Sequence, residues 1–236
     1  MSADLEKKAA GFAAAALVQS ETVVGLGTGS TAAHFVTALA DRVKAEGLKI
    51  VCVPTSVATE NLARSLGLDV RGLDAVESLD LTVDGADEIG PGLSLIKGGG
   101  AALLREKLVW EASRRCVVIA DNAKDVAHLG RFALPVEVVA FGHEHSARRI
   151  KLAALSAGVV VEPKLRLKDG GVVTTDTGQL IYDLACGVIA DPQALAVALK
   201  SVTGVIEHGL FLGLSDLALV GWTDASGAVS VRRIEA

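Results

Sequence analysis

Apolar positions in the first half of the chain follow two alternating rhythms. A helical period runs over 3–18, 31–44, 56–66 and 101–113. Between these lie short apolar runs that predict strands at 22–26, 49–53, 68–71, 79–83, 93–96 and 116–120. Runs of four or five apolar residues set between helices mark a parallel sheet covered on both faces. The rhythm changes near Gly130. It then predicts a strand at 134–141, a helix at 145–157, strands at 164–168 and at 172–175 or 180–184, a helix at 191–202 and a strand at 205–211. That order is the split βαβ arrangement, a small α+β unit inserted into the first domain. Strands at 218–222 and 229–234 then return to the large sheet or pair beside it. The chain has no internal repeat and no low-complexity linker.

Composition narrows the classes. In 236 residues, half are apolar and the net charge is −5, which excludes general disorder and argues against a nucleic-acid scaffold. Aromatic residues are only 3% of the chain, so stacking platforms are scarce. Cys52, Cys116 and Cys186 stand far apart in or beside apolar runs and read as buried thiols. Lys7-Lys8 followed by the apolar stretch from Ala9 imitates a signal peptide. Asp4 and Glu6 ahead of it, and its alanine content, favour a first amphipathic helix instead. No apolar run approaches the ~18 residues that span a bilayer. A cytoplasmic protein without membrane contact is expected.

The chemistry-bearing residues gather at the carboxyl ends of predicted strands. Gly25-Leu26-Gly27-Thr28-Gly29-Ser30-Thr31 follows the first strand, and Asp84-Gly85-Ala86-Asp87 follows 79–83. Lys97-Gly98-Gly99-Gly100 follows 93–96, and Asp121-Asn122-Ala123-Lys124 follows 116–120. In open α/β sheets this edge binds ligands. The first loop is not a dinucleotide fingerprint, because Ser30 takes the last glycine position and Val53-Pro54 ends the second strand without an acid. No Gly-Lys-Ser/Thr follows either. What remains is a loop suited to a small phosphate or carboxylate at a helix N-terminus, or a tight turn needing glycine for packing.

Asp84 and Asp87, with Glu88 beside them, suit proton transfer among hydroxyls, or a metal that lacks a third ligand at recognisable spacing, or simple turn capping. Lys97 places a compact positive charge before three glycines that allow close backbone approach. Glu106 falls on the helix that follows, among Ala102, Leu103, Val109 and Trp110, where desolvation raises a carboxyl's pKa as a carbon-acid base requires. An exposed Glu106 paired with Arg105 or Lys107 fits the spacing equally well. The five histidines are scattered, and Gly-x-Ser-x-Gly is absent.

These motifs, continued in order by Arg105-Glu106-Lys107, Ile119-Ala120-Asp121 with Lys124, and Leu134-Pro135-Val136-Glu137-Val138, resemble the type A ribose-5-phosphate isomerase family over nearly the whole chain. The resemblance implies a doubly wound, Rossmann-like α/β domain over 1–130 with 206–236, and an inserted α+β, ferredoxin-like domain over 131–205. It implies a sugar phosphate substrate and aldose–ketose isomerisation through a cis-enediol, without metal or organic cofactor and without a nucleic-acid partner. Substrate-lining residues would be Thr28, Gly29, Ser30, Thr31, Asp84, Gly85, Ala86, Asp87, Lys97, Gly98, Gly99, Gly100 and Lys124. Glu106 would be the proton acceptor and Asp84 the second catalytic group, with Lys7 or Lys8 adding charge near the phosphate. Thr175-Asp176-Thr177-Gly178-Gln179 and the segment from Gly158 to Arg166 depart from the family's usual pattern. Both lie in the small domain, where family members associate, and a homodimer is expected. The competing readings are a sugar-phosphate sensor on the same fold, which would not need Glu106, and an amino-sugar-phosphate deaminase or lactonase, which would add histidine at the strand ends.

Overall fold

The computed structural model describes residues 2–235. The chain divides into two compact units. One runs to Ala86, resumes over Arg105–Asp125 and again from Gly213; the other is Asp87–Leu104 with Val126–Leu212.

The first unit is built on six strands, β1 (Thr22–Leu26), β2 (Ile50–Pro54), β3 (Leu81–Gly85), β6 (Cys116–Asp121), β14 (Leu217–Thr223) and β15 (Val229–Glu235). Their order is β15-β14-β6-β3-β1-β2, parallel throughout except for the antiparallel edge strand β15. Every residue of β6 is buried, as expected for a central parallel strand. Helices α1 (Ser2–Ala15), α2 (Ser30–Glu46) and α3 (Val57–Ser65) belong to this unit. So does α4 (Leu103–Glu111) from Arg105 onward. Phe35, Val36 and Leu39 of α2 pack with Val24, Leu26, Val83, Val117 and Ile119 of the sheet into one core. The chain leaves β1 toward β2 on one side and returns to β3 on the other. The carboxyl ends of β1 and β3 therefore form the topological switch point, where sheets of this Rossmann-like kind present an open crevice.

The second unit holds two small antiparallel sheets. In one, β4 (Glu88–Ile89), β5 (Leu95–Ile96) and β13 (Leu210–Phe211) lie in the order β13-β5-β4. The other contains β7 (Leu134–Val138), β8 (Lys164–Leu165), β11 (Leu180–Leu184) and β12 (Val205–His208) in the order β12-β7-β11-β8. Helices α5 (His143–Ser156) and α6 (Pro192–Lys200) complete the sequence β7-α5-β8-β11-α6-β12, the predicted split βαβ. A two-stranded ribbon joins β9 (Leu167–Lys168) to β10 (Gly171–Val172).

The structure differs from the sequence reading in several places. The strand expected at 68–71 is reduced to an isolated bridge between Val70 and Cys52, and Cys186, expected to be buried, is only partly so. The second unit is wider than 131–205, because Ile96 and Leu210 join its core with Val136, Ile150, Leu184 and Leu199. The strand expected at 164–168 is divided between β8 and β9, and of the two alternatives that follow, 180–184 is the strand that joins the sheet. The strand expected at 205–211 breaks at Gly209, whose N–H bonds the Pro135 carbonyl while its own carbonyl accepts the Lys97 N–H at 2.8 Å each. A Cβ at Gly209 would collide with the Lys97 carbonyl oxygen, so only glycine lets the chain pass there. Among the described residues, no helix is long and apolar enough to cross a membrane.

Candidate active site

In the first unit, the loop after β1 is set by close packing. A Cβ at Gly27 would collide with both the side chain and the backbone of Asp84 at the end of β3. Thr28 sits in a hydroxyl cluster: its Oγ1 lies 2.7 Å from Thr55 Oγ1 and donates to Ser56 Oγ at 2.8 Å, while Thr59 Oγ1 donates to the Gly27 carbonyl at 2.9 Å. Gly29, at φ 102°, is the N-cap of α2, and no side chain caps that helix. A 17-residue helix thus presents its N-terminal N–H groups beside Ser30 and Thr31, an arrangement made for an anion. Lys7 Nζ on α1 donates to Ser30 Oγ at 3.2 Å, so positive charge already lies at this loop.

Asp84 is fully buried and organises the same unit. Its Oδ1 accepts the Thr28 N–H at 2.9 Å and the Gly85 N–H at 2.7 Å, and its Oδ2 accepts the Trp110 indole N–H at 3.3 Å. Trp110 is one turn beyond Glu106 on α4, so the two share a helix face. Glu106 is buried, and the exposed alternative is thereby removed. Lys124 is half-buried at the end of a short 3-10 turn, Asn122–Lys124, which Asp121 caps by accepting the Ala123 N–H at 3.1 Å. Glu6 of α1 braces that turn, its carboxylate accepting the Asn122 N–H at 3.1 Å and the Thr223 hydroxyl at 2.7 Å.

In the second unit, Lys97 is buried with its Nζ 5.4 Å from the centre of the Phe211 ring, a favourable cation–π placement. Asp87 is half-exposed and accepts the Gly99 N–H at 2.8 Å. Glu88 serves structure instead: its two oxygens accept the N–H groups of Gly130 at 2.7 Å and Phe132 at 2.6 Å. The described residues contain no group of three or more histidine, cysteine, aspartate or glutamate side chains able to hold a metal.

Comparison with known proteins decides the family. The family described as Ribose 5-phosphate isomerase A (phosphoriboisomerase A) matches residues 51–225. A ribose-5-phosphate isomerase A from Caulobacter sp. (strain K31) is 65% identical over 222 residues, 94% of this chain and 96% of the relative. The chain belongs to the ribose 5-phosphate isomerase A family. Its fold is that of solved relatives as well. A ribose 5-phosphate isomerase from Plasmodium falciparum superposes with a TM-score of 0.90 at 35% identity, over 99% of this chain and 100% of that one. A D-ribose-5-phosphate isomerase in complex with phospho-erythronic acid gives 0.89 at 34% identity, over the full length of both.

Set within this family, the positions singled out from sequence fall into two groups. Thr28 to Thr31, Asp84, Gly85, Ala86, Glu106 and Lys124 lie in the first unit; Asp87 and Lys97 to Gly100 lie in the second. Sequence reasoning missed the supports. Thr55, Ser56 and Thr59 fall in a segment with no motif, and Trp110 reads as a core residue because its indole N–H is invisible to an apolar count. Arg166, which bonds the glycine loop, is remote in sequence.

Proposed function

We propose that this family member interconverts D-ribose 5-phosphate and D-ribulose 5-phosphate through a cis-enediol, a step of the non-oxidative pentose phosphate pathway, with Glu106 as the base. The observation that carries the reading is one buried carboxylate, Asp84, which holds both the Thr28 loop and the tryptophan one turn from Glu106. An anion loop and a buried base fixed to one anchor are what proton abstraction from a phosphorylated sugar requires.

In this reading, the phosphate is held by the N–H groups at the start of α2, the hydroxyls of Ser30 and Thr31, and the ammonium groups of Lys7 and Lys124. Asp84 and Asp87 exchange hydroxyl protons as the sugar ring opens. Glu106 takes the proton from C2 and returns it to C1 on the same face. The charge that builds on the carbonyl oxygen meets Lys97 and N–H groups of Gly98 to Gly100, donors fixed before the reaction begins. None of these steps calls on a metal or an organic cofactor. A coupled assay with ribose 5-phosphate tests the proposal: turnover that survives exhaustive chelation supports it. No turnover, or turnover restored only by a divalent ion, contradicts it.

The location we propose is the cytoplasm, and the working form a homodimer joined through the second unit. Phe141 is 95% exposed and Val160 80% exposed there, with Leu152, Leu155 and Val197 also outward. Apolar exposure of this extent fits a subunit contact. Sedimentation of the chain as a monomer at micromolar concentration contradicts it.

A further inference from the structure

Arg166 takes no part in the chemistry above, yet its guanidinium is largely buried against the glycine loop. Its Nη1 donates to the Gly98 carbonyl at 2.7 Å and to the Gly99 carbonyl at 3.3 Å. Its Nε donates to Asp183 Oδ2 at 2.8 Å, and its Nη2 closes the bidentate pair on Asp183 Oδ1. All four residues belong to the second unit. Only arginine has the planar fork that can bridge a carboxylate and two carbonyls at once; a lysine ammonium lacks both the donors and the plane.

The loop needs such a hold. Gly98 has φ 101°, and Ala101, which is not glycine, has φ 59°. A non-glycine residue in that region is strained and persists only where its surroundings fix it. Holding the carbonyls also aims the amides. In a trans peptide the C=O and N–H point in opposite directions. The Gly98 carbonyl faces Arg166, and the N–H of the same peptide, that of Gly99, goes to Asp87 at 2.8 Å. The Gly99 carbonyl also faces Arg166, so the N–H of exposed Gly100 is turned the other way.

We infer that Arg166, oriented by Asp183, is a positioning residue for the isomerisation: it fixes the peptides of Gly98 and Gly99 so that the loop's N–H groups are aligned before charge develops on the substrate. The inference rests on the proposed reading of Lys97 to Gly100 as part of the substrate site. Misplacing catalytic groups by about 1 Å costs on the order of 100-fold, which sets the scale of the effect.

The test is steady-state kinetics with ribose 5-phosphate on the full chain carrying Arg166→Ala, Arg166→Lys or Asp183→Asn, with folding checked by circular dichroism. Arg166→Ala should lower kcat about 10- to 100-fold while KM moves less than about threefold. Millimolar guanidinium should restore part of that loss, which a general packing defect would not allow. Arg166→Lys should stay impaired. If Arg166→Ala does not fold, Asp183→Asn decides, with an expected fall in kcat of about three- to tenfold. A folded Arg166→Ala with parental kcat, an effect confined to KM, a guanidinium-insensitive loss or a silent Asp183→Asn would overturn the inference. Lys97→Ala, measured alongside, separates the two levels. Full activity in Lys97→Ala removes the reading of the loop itself, whereas an inactive Lys97→Ala beside a fully active Arg166→Ala removes only the role of Arg166.

Discussion

Two glycine-bearing loops follow strands in this chain, and beyond one N–H held by an aspartate in each they are held by different means. The loop at Gly27 to Thr31 is fixed by hydroxyls and by the Thr28 N–H donated to Asp84. The loop at Lys97 to Ala101 is held by ionised side chains, with a guanidinium on its carbonyls and a carboxylate on one N–H. The first opens a 17-residue helix whose N-terminus favours anions, and its supports are a hydroxyl cluster, one carboxylate and the Lys7 ammonium at Ser30. The second carries the buried Lys97 and a strained Ala101. Under the proposed function the contrast is a division of labour: one loop holds a charge that does not change, the other meets a charge that appears only during reaction.

The same substitution in each loop should expose that division. Gly27→Ala drives a Cβ into the Asp84 backbone, which cannot yield. Overpacking of this kind costs typically 1–3 kcal/mol, and with Asp84 displaced the activity should fall at least about 100-fold. Gly99→Ala meets only the movable carboxylate of Asp87, so the protein should keep its melting temperature and lose kcat about tenfold. Thermal melts with kinetics on the pair check this; equal destabilisation would erase the distinction.

Lys124→Ala sharpens it from the other side. A charge-assisted contact to phosphate is worth about 1.5–3 kcal/mol, so KM should rise roughly tenfold to a hundredfold with kcat nearly unchanged. A fall in kcat at constant KM would place Lys124 in the chemistry rather than in phosphate binding.

The smallest effect concerns the polar groups buried in the second unit. Burial pushes the Glu137 carboxyl above the usual carboxylate range, against the opposing hydrogen bonds of Thr175, Thr177 and the Leu104 backbone and with some help from Glu207. Both hydroxyls donate to Oε1, at 2.8 and 2.9 Å. A carboxyl whose pKa is raised on folding binds its proton more tightly in the folded state. Its contribution is therefore fullest below the ordinary value and is lost as pH rises through the folded one. Glu137→Gln keeps the acceptor for both threonines and removes the charge. It should flatten the loss of stability that sets in as pH rises above the ordinary carboxylate range. Denaturant melts across that rise give the answer, and an unchanged slope would refute the assignment.

Most of the large sheet was legible because buried parallel strands are apolar along most of their length, as Cys116 to Ala120 shows. The small unit was legible in order but not in extent. Glu88–Ile89 is two residues long, too short for any period to register, while Leu95–Ile96 and Leu210–Phe211 lie inside the expected strands 93–96 and 205–211, whose pairing into a separate sheet no periodicity announces. Glycine at 209 looks like any loop glycine until its Cβ is built against Lys97. The candidate site was legible where a motif is contiguous, as at Thr28 to Thr31, Asp84 to Asp87 and Lys97 to Gly100. The groups that hold those motifs were not. Arg166 stands 68 residues beyond Gly98, and Trp110 acts through one polar atom on an otherwise apolar ring.

The central claim is that Glu106, buried one turn from the tryptophan that bonds Asp84, carries the proton between C2 and C1. Glu106→Gln preserves shape and hydrogen-bonding capacity while removing the base. The direct measurement is loss of the C2 deuterium of 2-deuterated ribose 5-phosphate into water, followed by nuclear magnetic resonance. General base catalysis contributes about 10²–10⁴-fold, so the variant should bind substrate yet exchange at least about 100 times more slowly than the parent. Exchange at the parental rate would contradict the account, because another group would then be taking the proton.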